Sequence, residues 1–273
     1  ANPSLPYFPQ LKKELEKAFT RIKYQHGLAI DFMTKRMNMP AQDNFTAVAP
    51  WEKILATNQP IPYNKLKGLQ CIGAIDYART TDFASCGLLF KHKGKRYWIE
   101  HTFVCHLALK IESRPIKFPV QEMVERGLIT IIYRDNISEK DISGWFLEQA
   151  KKYHIKNIYC DEYRKSLLES EFQKVGLPLE SVRSGPITHA KVAPLVEQIF
   201  AEETLVFGDN PTMRWYTNNT YQDIDKKGNI TFLKIEPKTR KTDGFFALIH
   251  ALSKDSELEE PLNDVMSLDV YTY

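Results

Sequence analysis

The chain has 273 residues, 43% of them hydrophobic and 12% aromatic, which is enough apolar material for a substantial core and excludes wholesale disorder. Its 37 Lys and Arg against 34 Asp and Glu leave a net charge of +3, which excludes a uniformly basic nucleic-acid coat but not local basic clusters. Four cysteines, Cys71, Cys86, Cys105 and Cys160, lack metal-ligand spacing, so neither a disulfide framework nor a zinc site is expected, and no apolar run reaches the roughly 18 residues of a membrane span.

Residues 1–65 read as a helical leader and linker. Leu11, Leu15, Ala18, Phe19 and Ile22 recur at helical spacing, with Lys12, Lys13, Glu14, Glu16 and Lys17 facing outward. A second apolar and basic stretch covers residues 31–39, ahead of Pro40, and Pro60 and Pro62 close a linker that Trp51 is expected to anchor. The start at Ala1, amid Pro3, Pro6 and Pro9 and without an initiator Met, is expected of a piece of a longer protein.

From Leu66 the texture changes to strands. Residues 69–77 form a nearly continuous apolar run, as in a strand buried on both faces. Residues 83–90 and 97–104, joined by a basic turn at 91–95, complete a three-stranded antiparallel meander. Residues 128–133 and 155–160 predict further strands, and 141–153, 164–175 and 188–202 predict helices. A hairpin is expected over 221–235, turning at 226–229, and a last helix over 243–254. A meander followed by alternating β and α predicts an α/β mixed sheet flanked by helices over residues 66–255, with an acidic tail at 256–273.

Phosphate-binding and nucleophile-elbow loops are missing: Gly94-Lys95 is followed by Arg96, and neither G-x-G-x-x-G nor G-x-S-x-G occurs. No ATPase activity and no serine-triad chemistry are therefore expected of this chain. The informative residues are acids. Asp76 interrupts one apolar strand and Asp161 ends another. A lone acid at a strand end more often caps a loop, but two on neighbouring strands, about 4.8 Å apart, would raise each other's pKa unless a cation neutralised them. Mg²⁺ and Mn²⁺ prefer such hard oxygen ligands.

Asp243 opens the last helix, where an acid is favourable through the helix dipole. With Asp76 and Asp161 it completes the set that two-metal phosphodiester hydrolysis needs. His250, seven residues on and on the same helical face, is either an auxiliary proton donor or a histidine buried against the sheet. Asp82 is either an auxiliary metal ligand or a turn residue. Lys91, Lys93, Lys95 and Arg96, and Lys226, Lys227, Lys238, Arg240 and Lys241, form two basic clusters that suit gripping DNA phosphates; solvated turns are the plainer reading.

The segment from Gly73 to Phe83 (GAIDYARTTDF) resembles the first motif of the nuclease domain of tailed-bacteriophage terminase large subunits. Asn210-Pro211-Thr212-Met213-Arg214-Trp215 with Asn218-Asn219 is similar to that family's NP-x-x-RW…N signature, Tyr159-Cys160-Asp161 to its middle acidic position, and KTRKTDGFFALIHA from Lys238 to its closing helix. The resemblance implies a ribonuclease H-like fold and an endonuclease that cuts concatemeric viral DNA at packaging with two Mg²⁺ or Mn²⁺ ions. It carries over Asp76, Asp161 and Asp243 as the catalytic metal triad, with Asp82 as a further acid; position in the motif favours Asp161 over Glu162. It also implies double-stranded DNA, portal protein and small terminase subunit as partners, at the procapsid portal in the host cytoplasm. The leader resembles the end of the family's preceding ATPase region. Two other readings stand beside it: a ribonuclease H-like recombinase or resolvase, and a non-catalytic module that docks the portal or the small subunit.

Overall fold

The computed structural model describes residues 10, 13–17 and 46–260, except 114 and 237. The chain forms two compact units, Ala1–Ala47 and Val48–Tyr273. In the first, residues 10 and 13–17 are helical and Thr46–Ala47 is a short strand, β1. The expected second stretch of the leader at 31–39 lies outside the described residues, as do residues 261–273 of the acidic tail.

The second unit begins with α1 (Trp51–Leu55) and α2 (Tyr63–Leu66), then β2 (Gln70–Asp76), β3 (Phe83–His92) and β4 (Lys95–Cys105). Two short helices, α3 (His106–Leu109) and α4 (Val120–Glu125), lead to β5 (Ile129–Ile132), α5 (Glu139–Ala150), β6 (His154–Asp161) and α6 (Glu162–Lys174). After these come β7 (Leu179–Val182), α7 (Pro186–Ala201), β8 (Leu205–Val206) and α8 (Pro211–Asn218), then the hairpin β9 (Thr220–Ile224) and β10 (Ile230–Lys234), and α9 (Asp243–Leu252). Ile54 and Leu66 are buried, so the segment expected to be a linker packs with the sheet instead; Trp51, its expected anchor, is 47% exposed. No described helix is long and apolar enough to cross a membrane.

The main sheet has the order β5-β4-β3-β2-β6-β7, with β8 also pairing with β4. β2, β3 and β4 form the expected antiparallel meander, while β6 lies parallel to β2 and β7 parallel to β6. The β3–β4 turn closes through Lys93 and Gly94, both at positive φ (52° and 73°), the pair of conformations that matches strand twist in a two-residue hairpin. Phe83 to Phe90 are buried without interruption, which is what a strand covered on both faces requires.

Each face has its own core. Cys71, Ile75, Cys86 and Phe90 pack with Phe146 of α5 and Leu168 and Phe172 of α6. On the opposite face Ile72, Ala74, Leu89 and Trp98 pack with Val196 of α7, Met213 and Tyr216 of α8, and Phe245, Leu248 and Ile249 of α9. α9 is apolar almost all round, and a helix of that kind is stable only when enclosed. Its burial against β2 and β3 fixes where its first residue, Asp243, must sit.

Candidate functional site

β2 and β6 run parallel with Ile75 opposite Cys160, so the residues that follow, Asp76 and Asp161, end adjacent strands at the same edge of the sheet. Antiparallel pairing sets Asp76 opposite Ser85, and alternation along β2 puts Asp76 on the face of Ile72 and Ala74. That face is the one covered by α9. The sequence therefore folds so that two strand ends and one helix start converge. Asp76 and Asp161 remain partly exposed, whereas Asp243 is buried and its Oδ2 has no hydrogen-bond partner among the described residues. Asp161 also caps α6, its Oδ1 accepting the Tyr163 N–H at 2.8 Å.

Lysines enter this acidic edge from two directions. Lys234, at the end of β10, places Nζ 3.3 Å from Asp82 and 4.0 Å from Asp243. Lys241 lies 2.7 Å from the other Asp82 oxygen and donates to the Thr81 carbonyl at 3.3 Å. Burial pushes the Asp76 carboxyl above its ordinary pKa; Lys234 and His250 oppose this, while Asp82 and Asp161 add to it. Burial also raises Asp243 well above the carboxylate range, reinforced by Asp82 and resisted by Lys234. For Asp82 burial acts upward too, but Lys234 and Lys241 together outweigh it and hold the group low. Lys234 is raised in turn, because Asp243, Asp82 and Asp76 overcome the effect of its own burial. Asp76, Asp82, Asp161 and Asp243 thus share one electrostatic site. Among the described residues, however, no three His, Cys, Asp or Glu side chains close into a ready-made cation cage; Lys234 and Lys241 pair with Asp82, and Lys234 also reaches Asp243.

Of the two readings of His250, the structure shows the buried one: it is 2% exposed, with Nδ1 2.9 Å from the Ile75 carbonyl and Nε2 3.5 Å from Ser184 Oγ. It braces the backbone immediately before Asp76.

The endonuclease domain of the terminase large subunit matches residues 1–259. The chain belongs to that family. Among solved structures it is similar to the large terminase of bacteriophage HK97, at 14% identity and a TM-score of 0.67, over 88% of this chain and 50% of that one. This chain therefore spans half the length of that protein. It is also similar to the large terminase nuclease of thermophilic phage G20c with bound magnesium, at 10% identity and a TM-score of 0.44, over 67% of this chain and 82% of that one. A third relative is the large terminase nuclease domain of Thermus phage P74-26, at 11% identity and a TM-score of 0.44, covering 77% and 95% respectively. The comparison with curated proteins returned no match. The fold is ribonuclease H-like, a mixed sheet flanked by helices, as the sequence motifs implied.

In this terminase nuclease domain the basic residues divide by position. Lys91 and Arg96 form ion pairs with Asp255 at 2.9 and 2.8 Å, and the Lys95 ammonium donates to Gln59. Their turn, which also carries Lys93, lies at the far end of ten-residue β3, roughly 25 Å along the strand from Ser85, the partner of Asp76. Antiparallel pairing thus sets this turn, one of the two clusters expected to grip phosphates, at the opposite end of the strand from the acids. Lys226 and Lys227 occupy the exposed turn between β9 and β10. Lys238, Arg240 and Lys241 precede α9, and a small cavity of about 90 Å³ lined by Thr81, Asp82, Lys238 and Lys241 opens there.

Sequence reading missed Lys234, although a signal was present. Phe232 and Lys234 share one face of β10, and Phe232 is 1% exposed, so the lysine must also point inward. It also missed buried Glu100, which stands in no recognised motif.

Proposed function

We propose that this chain is a metal-dependent endonuclease that cuts double-stranded concatemeric viral DNA during genome packaging. Family membership supports nuclease chemistry, and the observation that carries the mechanism is the convergence of Asp76, Asp161 and Asp243 with one buried, unpartnered carboxylate oxygen. A buried carboxyl oxygen without a partner is one that a hard divalent cation can take up in place of a proton, so Asp76, Asp161 and Asp243 would hold the ions, with Asp82 as a further acid. Two Mg²⁺ or Mn²⁺ ions bound there would supply an activated water and charge stabilisation for the leaving oxygen.

The remaining work falls to the chain itself. Partial exposure of Asp76 and Asp161 leaves the edge open to a phosphodiester. Lys238 and Arg240, on the loop into α9, would hold flanking phosphates, and Lys241 positions Asp82 through their ion pair. His250 fixes the end of β2 through the Ile75 carbonyl. The portal protein and the small terminase subunit, met at the procapsid portal in the host cytoplasm, are the partners this reading assigns.

Replacing Asp76 by Asn tests it. The variant keeps its shape and loses a desolvated charge, so its thermal midpoint should hold or rise. Cutting of plasmid DNA in Mn²⁺ should fall at least about a hundredfold; wild-type cutting by Asp76→Asn would remove the triad from the mechanism.

A further inference from the structure

The NP-x-x-RW segment lies outside the acidic edge, and its chemistry leads to a carboxylate that the triad does not include. Glu100, on β4, is 6% exposed and has no lysine or arginine partner among the described residues. Its partners are neutral. Ser85 Oγ donates to Oε1 at 2.8 Å, Thr102 Oγ1 donates to the same oxygen, and Asn210 Nδ2 donates to Oε2 at 3.1 Å. The Asn210 amide cannot turn round, because its Oδ1 already accepts the Met213 N–H at 3.0 Å as the N-cap of α8. It therefore presents a donor to Glu100, and the ionised carboxylate satisfies all three donors at once.

Two of these partners touch supports of the catalytic acids. Ser85 is paired across the sheet with Asp76. The Thr102 hydroxyl is 2.9 Å from the Tyr216 hydroxyl. The Tyr216 ring lies under Gly244, the residue after Asp243, so closely that a Cβ there would meet Tyr216 Cδ2 at 2.4 Å. One buried carboxylate thereby links the strand next to Asp76, the signature segment on α8 and the start of α9.

We propose that Glu100 is a positioning residue of the nuclease site, which in its ionised form holds Ser85, Asn210 and Tyr216 so that Asp76 and Asp243 keep the spacing required to bind divalent metal. The proposal rests on the nuclease reading above. Burial, opposed by Thr102, Ser85 and Asn210, raises the Glu100 pKa to about 7, so the network changes state near neutral pH. The other titratable groups facing it are the buried Cys86 thiol and Tyr216 phenol, both pushed well above their ordinary values by burial and then by Glu100 itself, so neither ionises in this range.

The test compares the wild type with Glu100→Gln and Tyr216→Phe by three measurements. These are Mn²⁺ affinity by calorimetry, plasmid cutting from about pH 5.5 to 8.5, and the thermal midpoint of the metal-free protein. Glu100→Gln keeps the side chain's shape, and its amide can face the two hydroxyls, which rotate to accept. It should fold, bind Mn²⁺ about 10- to 100-fold more weakly, and lose an inflection near neutral pH that the wild-type cutting profile shows. Tyr216→Phe keeps the ring under Gly244 and should weaken Mn²⁺ binding in the same direction, which preserves the test if Glu100→Gln does not fold. Wild-type Mn²⁺ affinity and an unshifted pH profile in the folded variants would overturn the proposal. Absence of cutting and of Mn²⁺ binding in the wild type would instead overturn the nuclease reading on which it rests.

Discussion

Lys234 is the residue whose removal should say most about the charge balance of the site. Its ammonium lies among Asp76, Asp82 and Asp243, and deleting one partner of a buried ionic cluster leaves charges without compensation. Lys234→Met should therefore cost about 3 kcal/mol of stability in the metal-free protein. It should also enlarge the stabilisation that Mn²⁺ gives, because an ion that binds only the folded state adds stability in proportion to its occupancy. Thermal melts with and without Mn²⁺ measure both effects; an unchanged metal-free midpoint would show that the lysine does not neutralise the acids. Glu100 makes a separate, pH-dependent prediction. Its folded pKa of about 7 lies above the unfolded value of about 4.3, so the folded state binds more protons between the two. Stability should fall as pH rises through that window, by up to about 4 kcal/mol, and then level off. Glu100→Gln should flatten the slope, which chemical denaturation at several pH values would reveal.

At the scale of elements, the start of α9 is the most tightly constrained part of the site. Gly244→Ala would drive a methyl group into the Tyr216 ring and Met213 Sδ, at 2.4 and 2.8 Å. It should destabilise the protein by about 1–3 kcal/mol, and should reduce cutting because Asp243 moves with the helix. On the proposed function, the loop before α9 and the β3–β4 turn should differ in their contact with DNA. Removing Lys238 and Arg240 together should make the salt dependence of DNA affinity shallower by about 1.8 in logarithmic slope. Lys93→Ala should leave it unchanged.

The distinction between those two loops was not visible in the sequence, where both are simply runs of lysine and arginine. What was visible was periodic: the apolar runs of β2, β3, β4 and β6, and α9 with its acid at the first position. Strand ends and helix starts are local features, so Asp76, Asp161 and Asp243 could be picked out one by one. Which end of the sheet a turn reaches depends on the direction of pairing, so the distance of Lys91 to Arg96 from the acids was not legible in the sequence. Short elements such as β7, β8 and α8 carry too few residues to show a period, and the partners of Glu100 are scattered from Ser85 to Asn210. The segment 51–66 carries Pro60 and Pro62, which favour a linker, yet Ile54 and Leu66 are buried; tertiary packing overrode the local signal.

Over the whole molecule, the near-neutral charge conceals an uneven distribution. Residues 51–250 contain 29 Lys and Arg and 24 Asp and Glu, a balance of +5 that includes the four acids of the site. Part of that positive charge is spent within the fold, as Asp255 takes up Lys91 and Arg96 and Asp82 takes up Lys234 and Lys241. The acidic edge and the loop into α9 are then where substrate and cation would meet. The central claim is that Asp76, Asp161 and Asp243 form one divalent-metal site, and anomalous diffraction from crystals soaked in Mn²⁺ tests it most directly. Manganese density in contact with all three carboxylates is the predicted result. Density confined to other acids, or none at this edge in crystals that bind manganese elsewhere, would contradict it.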